Sequence, residues 1–278
     1  MSADVLADLA ALRRRARGDR HAYAFPLFLF GALILVAPLC YLPSDATEGD
    51  FGPFPQFVSD LVRYPFLVGW YWVMTIVGGL WLTSWWYRHR AGRHGVETDV
   101  RVPTAAAVAA LLGFLAWQPL FTTLLLEMFP DYMGPFSTPA VNLPILFGGA
   151  ALAAAAGLWG RRRAGWARTA AVAVATFLAT VVFGAVSAYF HGGYTALVII
   201  GIALLVLAWA ERSVLLAVIG GVFTAFALLI NLDDVLQIYY RLGWGYSGSE
   251  QLSALQVLFL PGIVLLAGGV AAVIGNRR

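Results

Sequence analysis

Eight stretches of this chain run for about 20 residues without a charged side chain, the length a helix needs to cross roughly 30 Å of hydrocarbon. They cover residues 24–42, 64–87, 102–126, 141–160, 169–190, 192–210, 213–232 and 252–275. Inside a bilayer every backbone N–H and C=O must find a partner within the protein, so only helices and closed barrels can span it. A barrel strand would alternate apolar and polar residues over about ten positions, whereas these runs are continuously apolar. The sequence therefore predicts an all-α, polytopic integral membrane protein with eight transmembrane helices. Residues 1–20 form a cytoplasmic, arginine-rich lead, and residues 21–278 a single transmembrane helical domain. Composition agrees: a soluble domain carries about 25% charged residues, and this chain carries 12%, with a mean hydropathy of +0.77.

Orientation follows from the basic residues, all 18 of which are arginine. Short cytoplasmic loops collect positive charge. With both termini inside, the inner side holds the cluster from Arg13 to Arg20, then Arg88, Arg90, Arg93, Arg101, Arg161, Arg162, Arg163, Arg168, Arg212, Arg277 and Arg278. The outer side holds only Arg63 and Arg241. Trp81, Trp85, Trp86, Trp159, Trp166 and Trp209 fall at the same inner ends, where an interfacial aromatic belt belongs. The acidic residues lean outward, so a net charge of +3 conceals a basic inner face and an acidic outer one. Pro26, Pro65 and Pro103 sit in first turns, where a missing N–H is harmless. Ser44-Asp45-Ala46 resembles a small-x-small cleavage site, but the long lead and the even helix count favour a retained first helix.

Several chemistries are excluded by residue type. Without lysine there is no phosphate-binding loop of the Walker kind and no Schiff base. Cys40 stands alone, the four histidines are scattered, and neither H-E-x-x-H nor G-x-S-x-G occurs. No charge lies near the middle of a predicted span, which removes the usual flag of a proton relay or voltage sensor. No cofactor is expected, and no nucleic-acid partner.

Outside the spans, Val5, Leu6, Leu9 and Leu12 share one helical face ahead of the arginine cluster, as in an amphipathic helix lying on anionic lipid at the inner surface. The loop from Pro43 to Arg63 alternates Phe51, Phe54 and Phe57 with Pro53 and Pro55, which suits a lid or a partner-binding rim. The segment from Asn231 to Gln251 carries Tyr239, Tyr240, Trp244 and Tyr246, residues suited to the outer interface. No internal repeat supports inverted-repeat transport, and the pairs Gly148-Gly149, Gly220-Gly221 and Gly268-Gly269 predict close helix packing.

The polar residues left inside the spans are neutral. Gln118 and Thr122 are four apart in the third span, Ser253 and Gln256 three apart in the eighth, and each span also contains a proline, Pro119 or Pro261. A proline inside a helix frees a carbonyl. If those two helices are neighbours, the four side chains line an outward-open pocket, with Glu127, Asp131, Asn231 and Asp234 as its rim. No metal site is expected: His191, Asp233 and Asp234 come nearest to a ligand set, but their spacing matches no ligand signature.

The functional expectation is a non-enzymatic component of a bacterial plasma membrane that senses, or assembles with, a membrane-protein partner or a further copy of itself. A transporter or channel for a neutral or lipophilic solute is the alternative. An enzyme acting on a lipid-linked substrate at the outer face is a further one.

Overall fold

A computed structural model describes residues 23–41, 65–93, 105–106, 108–110, 112–113, 116, 139–187, 193–211, 213–232, 241, 243 and 249–275. Among these residues the chain is all-helical, with no strand. The helices are α1 (Ala24–Val36), continued by a 3-10 turn (Ala37–Cys40), then α2 (Pro65–Arg93), α3 (Pro139–Arg161), α4 (Trp166–Ser187), α5 (Thr195–Glu211), α6 (Val214–Asn231) and α7 (Glu250–Gly275). Four helical stretches are long and apolar enough to cross a membrane: Phe66–Arg90, Trp166–Gly184, Val214–Asn231 and Gln251–Gly275. Ala24–Cys40, Leu146–Gly160 and Thr195–Ala208 are apolar but shorter.

Local chemistry sets the helix ends. The first predicted span was drawn as one helix to residue 42, but α1 stops at Val36 and tightens into the 3-10 turn. Pro38 is the reason: it has no N–H to continue the ladder beyond the bond from Ala37 N–H to the Leu33 carbonyl. At the start of α6, extended Ser213 accepts the Leu216 N–H on its hydroxyl at 3.3 Å, an N-cap of the kind that stabilises a helix by about 1 kcal/mol. Ser249 accepts the Leu252 N–H in the same way at the start of α7. Pro144 and Pro261 both lie within continuous helices.

The chain divides into two compact units, one built from residues 1–94 and 191–278, the other from 95–190. In the first, α1 and α7 pack antiparallel at backbone distance. A β-carbon on Gly31 would stand 3.2 Å from the Gly262 carbonyl oxygen, and one on Gly269 would meet the Phe28 ring at 3.0 Å. α5 and α6 form an equally tight antiparallel hairpin, with Gly201 against Thr224 and Gly220 against Leu204 and Leu205. Gly268 of α7 receives Ile219 of α6, and Gly79 of α2 receives the Phe30 ring of α1. Trp72, Phe30, Phe223, Leu27, Ile34, Leu204 and Leu258 are among the side chains fully enclosed in this unit.

The second unit is built on the α3–α4 hairpin. Gly149, Gly157 and Gly160 of α3 face Val182, Ala175 and Ala171 of α4, and Gly113, in the helical residues between 105 and 116, faces the Phe177 carbonyl and Thr180. Thr176 and Thr180 donate to the carbonyls of Val172 and Thr176, each at 2.8 Å, so their hydroxyls need no partner from outside α4. The glycine pairs thus divide their work. Gly149, Gly220, Gly268 and Gly269 meet a neighbouring helix, while Gly148 and Gly221 face open space.

Outward surfaces are as apolar as the core. One face of α2 encloses Val68, Trp72, Thr75 and Gly79, while Phe66, Trp70, Met74, Trp81 and Trp85 are exposed on it. A helix that is apolar all round belongs in lipid or in a large protein core.

Candidate functional site

The polar groups of the first unit gather at its two ends. One end joins the close of α1, the early turns of α2, the start of α5 and the close of α6. Asn231 is fully buried there, on the last turn of α6. Its Oδ1 accepts the Tyr194 N–H at 3.0 Å; its Nδ2 donates to the Tyr194 carbonyl at 3.0 Å and to the Ala227 carbonyl at 2.7 Å. Both amide hydrogens and one acceptor site are therefore used. The side chain closes the α5–α6 hairpin as a backbone strand would, by exchanging two hydrogen bonds with one residue.

Aromatic rings continue the arrangement from Tyr194. Its ring stacks on Tyr41, with centroids 6.4 Å apart and planes 23° apart. The Tyr41 hydroxyl accepts the Trp72 indole N–H at 3.3 Å. Trp72 lies edge-on to Tyr71 at 5.7 Å, and the Tyr71 hydroxyl donates to the Leu33 carbonyl on α1. Buried Tyr and Trp rings normally require such a partner for their one polar atom. The 3-10 turn brings Tyr41 to this place, so Pro38 positions the ring that ties α1 to α2 and α5. Cys40, the free thiol beside it, is partly buried.

The opposite end, at the start of α1 and the close of α2 and α5, is organised differently. Thr83, Trp86 and Tyr87 lie three and four residues apart on one face of α2, and the Thr83 hydroxyl and the Trp86 indole nitrogen are buried without a hydrogen bond. The Trp86 ring stacks on Phe25 of α1 at 4.8 Å. Glu211 of α5, Arg90 and Tyr23 lie near enough to act electrostatically on the Tyr87 hydroxyl. A buried donor or acceptor without a partner costs about 1–3 kcal/mol.

The predicted pocket residues are placed as follows. Ser253 and Gln256 are half-buried on α7, and the Ser253 hydroxyl donates back to the Ser249 carbonyl at 3.3 Å. Asn231 is engaged by Tyr194 and Ala227. Gln118, Thr122, Glu127, Asp131, His191, Asp233 and Asp234 lie outside the described residues. Among the described residues, no group of three histidine, cysteine or carboxylate side chains stands close enough to hold a metal ion.

Sequence reasoning passed over Tyr41, Tyr71, Trp72 and Tyr194, and read Trp86 as part of the inner aromatic belt rather than as one member of a stripe with Thr83 and Tyr87. The stripe had a visible signal in its helical spacing. The Tyr41–Tyr194 stack had none, since its members are far apart in the chain. Comparison with known proteins brings no match: no family model, curated protein or solved structure aligns with the chain.

Proposed function

We propose that this protein is an eight-helix component of a bacterial plasma membrane, with both ends in the cytoplasm, which senses or assembles with a membrane-protein partner rather than catalysing a reaction. The observation that carries this reading is the use made of polar groups inside the first unit. Asn231, Tyr71 and Trp72 direct hydrogen bonds out of their own helices, to the Tyr194 carbonyl, the Leu33 carbonyl and the Tyr41 hydroxyl, which is the behaviour of a scaffold. Arginine counting supports the orientation, and the proline- and phenylalanine-rich loop from Pro43 to Arg63 supplies a rim for a partner.

The test is purification from native membranes in mild detergent, with the mass of the intact particle measured and its subunits identified after cross-linking. A stoichiometric partner subunit, or a defined homo-oligomer, is the expected result. A monodisperse monomer that cross-links to nothing would overturn the assembly reading.

A second reading, transport of a neutral or lipophilic solute, is favoured by Ser253 and Gln256, which lie half-buried one turn apart ahead of Pro261 on α7. Uptake or efflux in proteoliposomes that disappears in Gln256→Ala and Gln118→Ala, with folding intact, would establish it. Equal flux through both variants would remove it.

A further inference from the structure

The α3–α4 turn and its flanks expose three arginines and two tryptophans, Arg162, Arg163, Arg168, Trp159 and Trp166. Four residues, Arg162 to Gly165, reverse the chain, and Gly165 makes the reversal possible at φ +63°, where a side chain would be strained. Two hydrogen bonds wrap the end of α3, from Arg162 N–H to the Trp159 carbonyl and from Arg163 N–H to the Gly160 carbonyl. A β-carbon on Gly160 would come within 2.9 Å of Ala171, so the two helices meet closely just behind the turn and hold its tip in place.

On this tip the Arg163 guanidinium lies 5.1 Å above the centre of the Trp159 ring, a cation–π contact made on an exposed surface. Arg162, Arg163 and Arg168 are all exposed, and Trp166 is 83% exposed. The sequence contains no acidic residue between Asp131 and Glu211, so the segment that carries these arginines brings no carboxylate of its own. In water, an exposed indole leaves most of its apolar surface hydrated. At a membrane–water boundary indole and guanidinium are both favoured, since indole sits at headgroup depth and guanidinium binds phosphate through paired N–H donors. The start of α4, with its positive dipole end, faces the same boundary.

We infer that the α3–α4 turn is a binding site for the phosphate of an anionic phospholipid headgroup, formed by Arg162, Arg163 and Arg168 and bracketed by Trp159 and Trp166. This rests on the proposed reading only in assigning the site to the inner leaflet. Arg163 is preset by its stack on Trp159, so the planar fork is presented to the headgroup layer with less freedom to lose on binding.

The experiment uses the full chain in nanodiscs, with Cys40→Ser and a fluorophore on Ala164→Cys, and measures quenching by headgroup-spin-labelled phosphatidylglycerol or phosphatidylcholine. Phosphatidylglycerol should quench the stronger. That preference should fall by about fivefold for each arginine changed to glutamine, equivalent to about 1 kcal/mol apiece. Trp159→Leu should weaken it while leaving the charges in place. Equal quenching by the two lipids would overturn the site. So would a triple lysine variant that retains the full preference, because a diffuse positive field would then suffice. A short RNA that displaces the lipid signal at concentrations where inorganic phosphate does not would overturn the lipid assignment. Access of a membrane-impermeant thiol reagent to Ala164→Cys from the outer side would refute the orientation alone and leave the lipid result standing.

Discussion

Replacing Asn231 with leucine, which has the same branching but bulkier methyl ends, removes the amide that closes the α5–α6 hairpin. Three hydrogen bonds disappear, at 3.0, 3.0 and 2.7 Å. They are not equivalent. The Tyr194 carbonyl keeps the Leu197 N–H at 3.0 Å, and the Ala227 carbonyl remains within the α6 ladder. Each of those two therefore loses a supplementary bond, which for membrane helices averages about 0.6 kcal/mol. The Tyr194 N–H loses the partner shown for it, and an orphaned buried amide costs about 1–3 kcal/mol. Together these give a loss of about 2–4 kcal/mol for Asn231→Leu. The assay is reversible unfolding of the purified protein in mixed micelles, followed by tryptophan fluorescence and extrapolated to zero denaturant. Leu232→Ala, at an exposed position next in the chain, is the control and should shift stability by about 0.5 kcal/mol or less. If Asn231→Leu behaves like that control, the amide is not a staple and the reasoning fails.

Three further contrasts follow from the same packing. Tyr71→Phe should cost about 0.6–1.5 kcal/mol in the same assay by losing its bond to the Leu33 carbonyl, while Thr83→Val, which removes a buried hydroxyl without a hydrogen bond, should leave stability unchanged or raised; a loss at Thr83 equal to that at Tyr71 would contradict this. Gly201→Ala would set a β-carbon 2.5 Å from the Thr224 hydroxyl oxygen and 3.3 Å from its Cα, and should destabilise by about 1–3 kcal/mol. Gly78→Ala meets nothing within 4 Å and should stabilise α2 by about 0.5–1 kcal/mol, so the two alanines must move the unfolding midpoint in opposite directions. Gly165→Ala should cost about 1 kcal/mol at a φ of +63°, measurable as a lower midpoint with no change in helix content by circular dichroism.

The helices were legible because hydrocarbon imposes a simple rule: about 20 residues without charge, with every backbone bond made inside the segment. That rule identifies an apolar run but not how its last turn ends, and so it carried α1 through Pro38 as a regular helix. Glycine pairs announced close packing, yet which member of each pair meets a neighbour depends on helix rotation, and only contact with the next helix reveals that Gly149 is packed and Gly148 open. Asn231 was visible as a polar residue near a span end. Its role was not, because its partner is a backbone amide 37 residues earlier, and backbone groups carry no residue signature. The same reasoning explains why Tyr41 and Tyr194 went unnoticed. Each reads as an interfacial tyrosine by itself, and the stack exists only once α1 and α5 end side by side.

The account depends most on the direction in which the chain crosses the bilayer, and single-cysteine labelling of the Cys40→Ser protein in intact cells tests it directly. Ala164→Cys and Ser213→Cys, in the turns before α4 and α6, should react with a membrane-impermeant maleimide only after the cells are opened. Ser249→Cys, exposed before α7, should react from outside. Labelling of Ala164→Cys in intact cells, or of Ala164→Cys and Ser249→Cys from the same side, would contradict the eight-helix, cytoplasmic-ends arrangement.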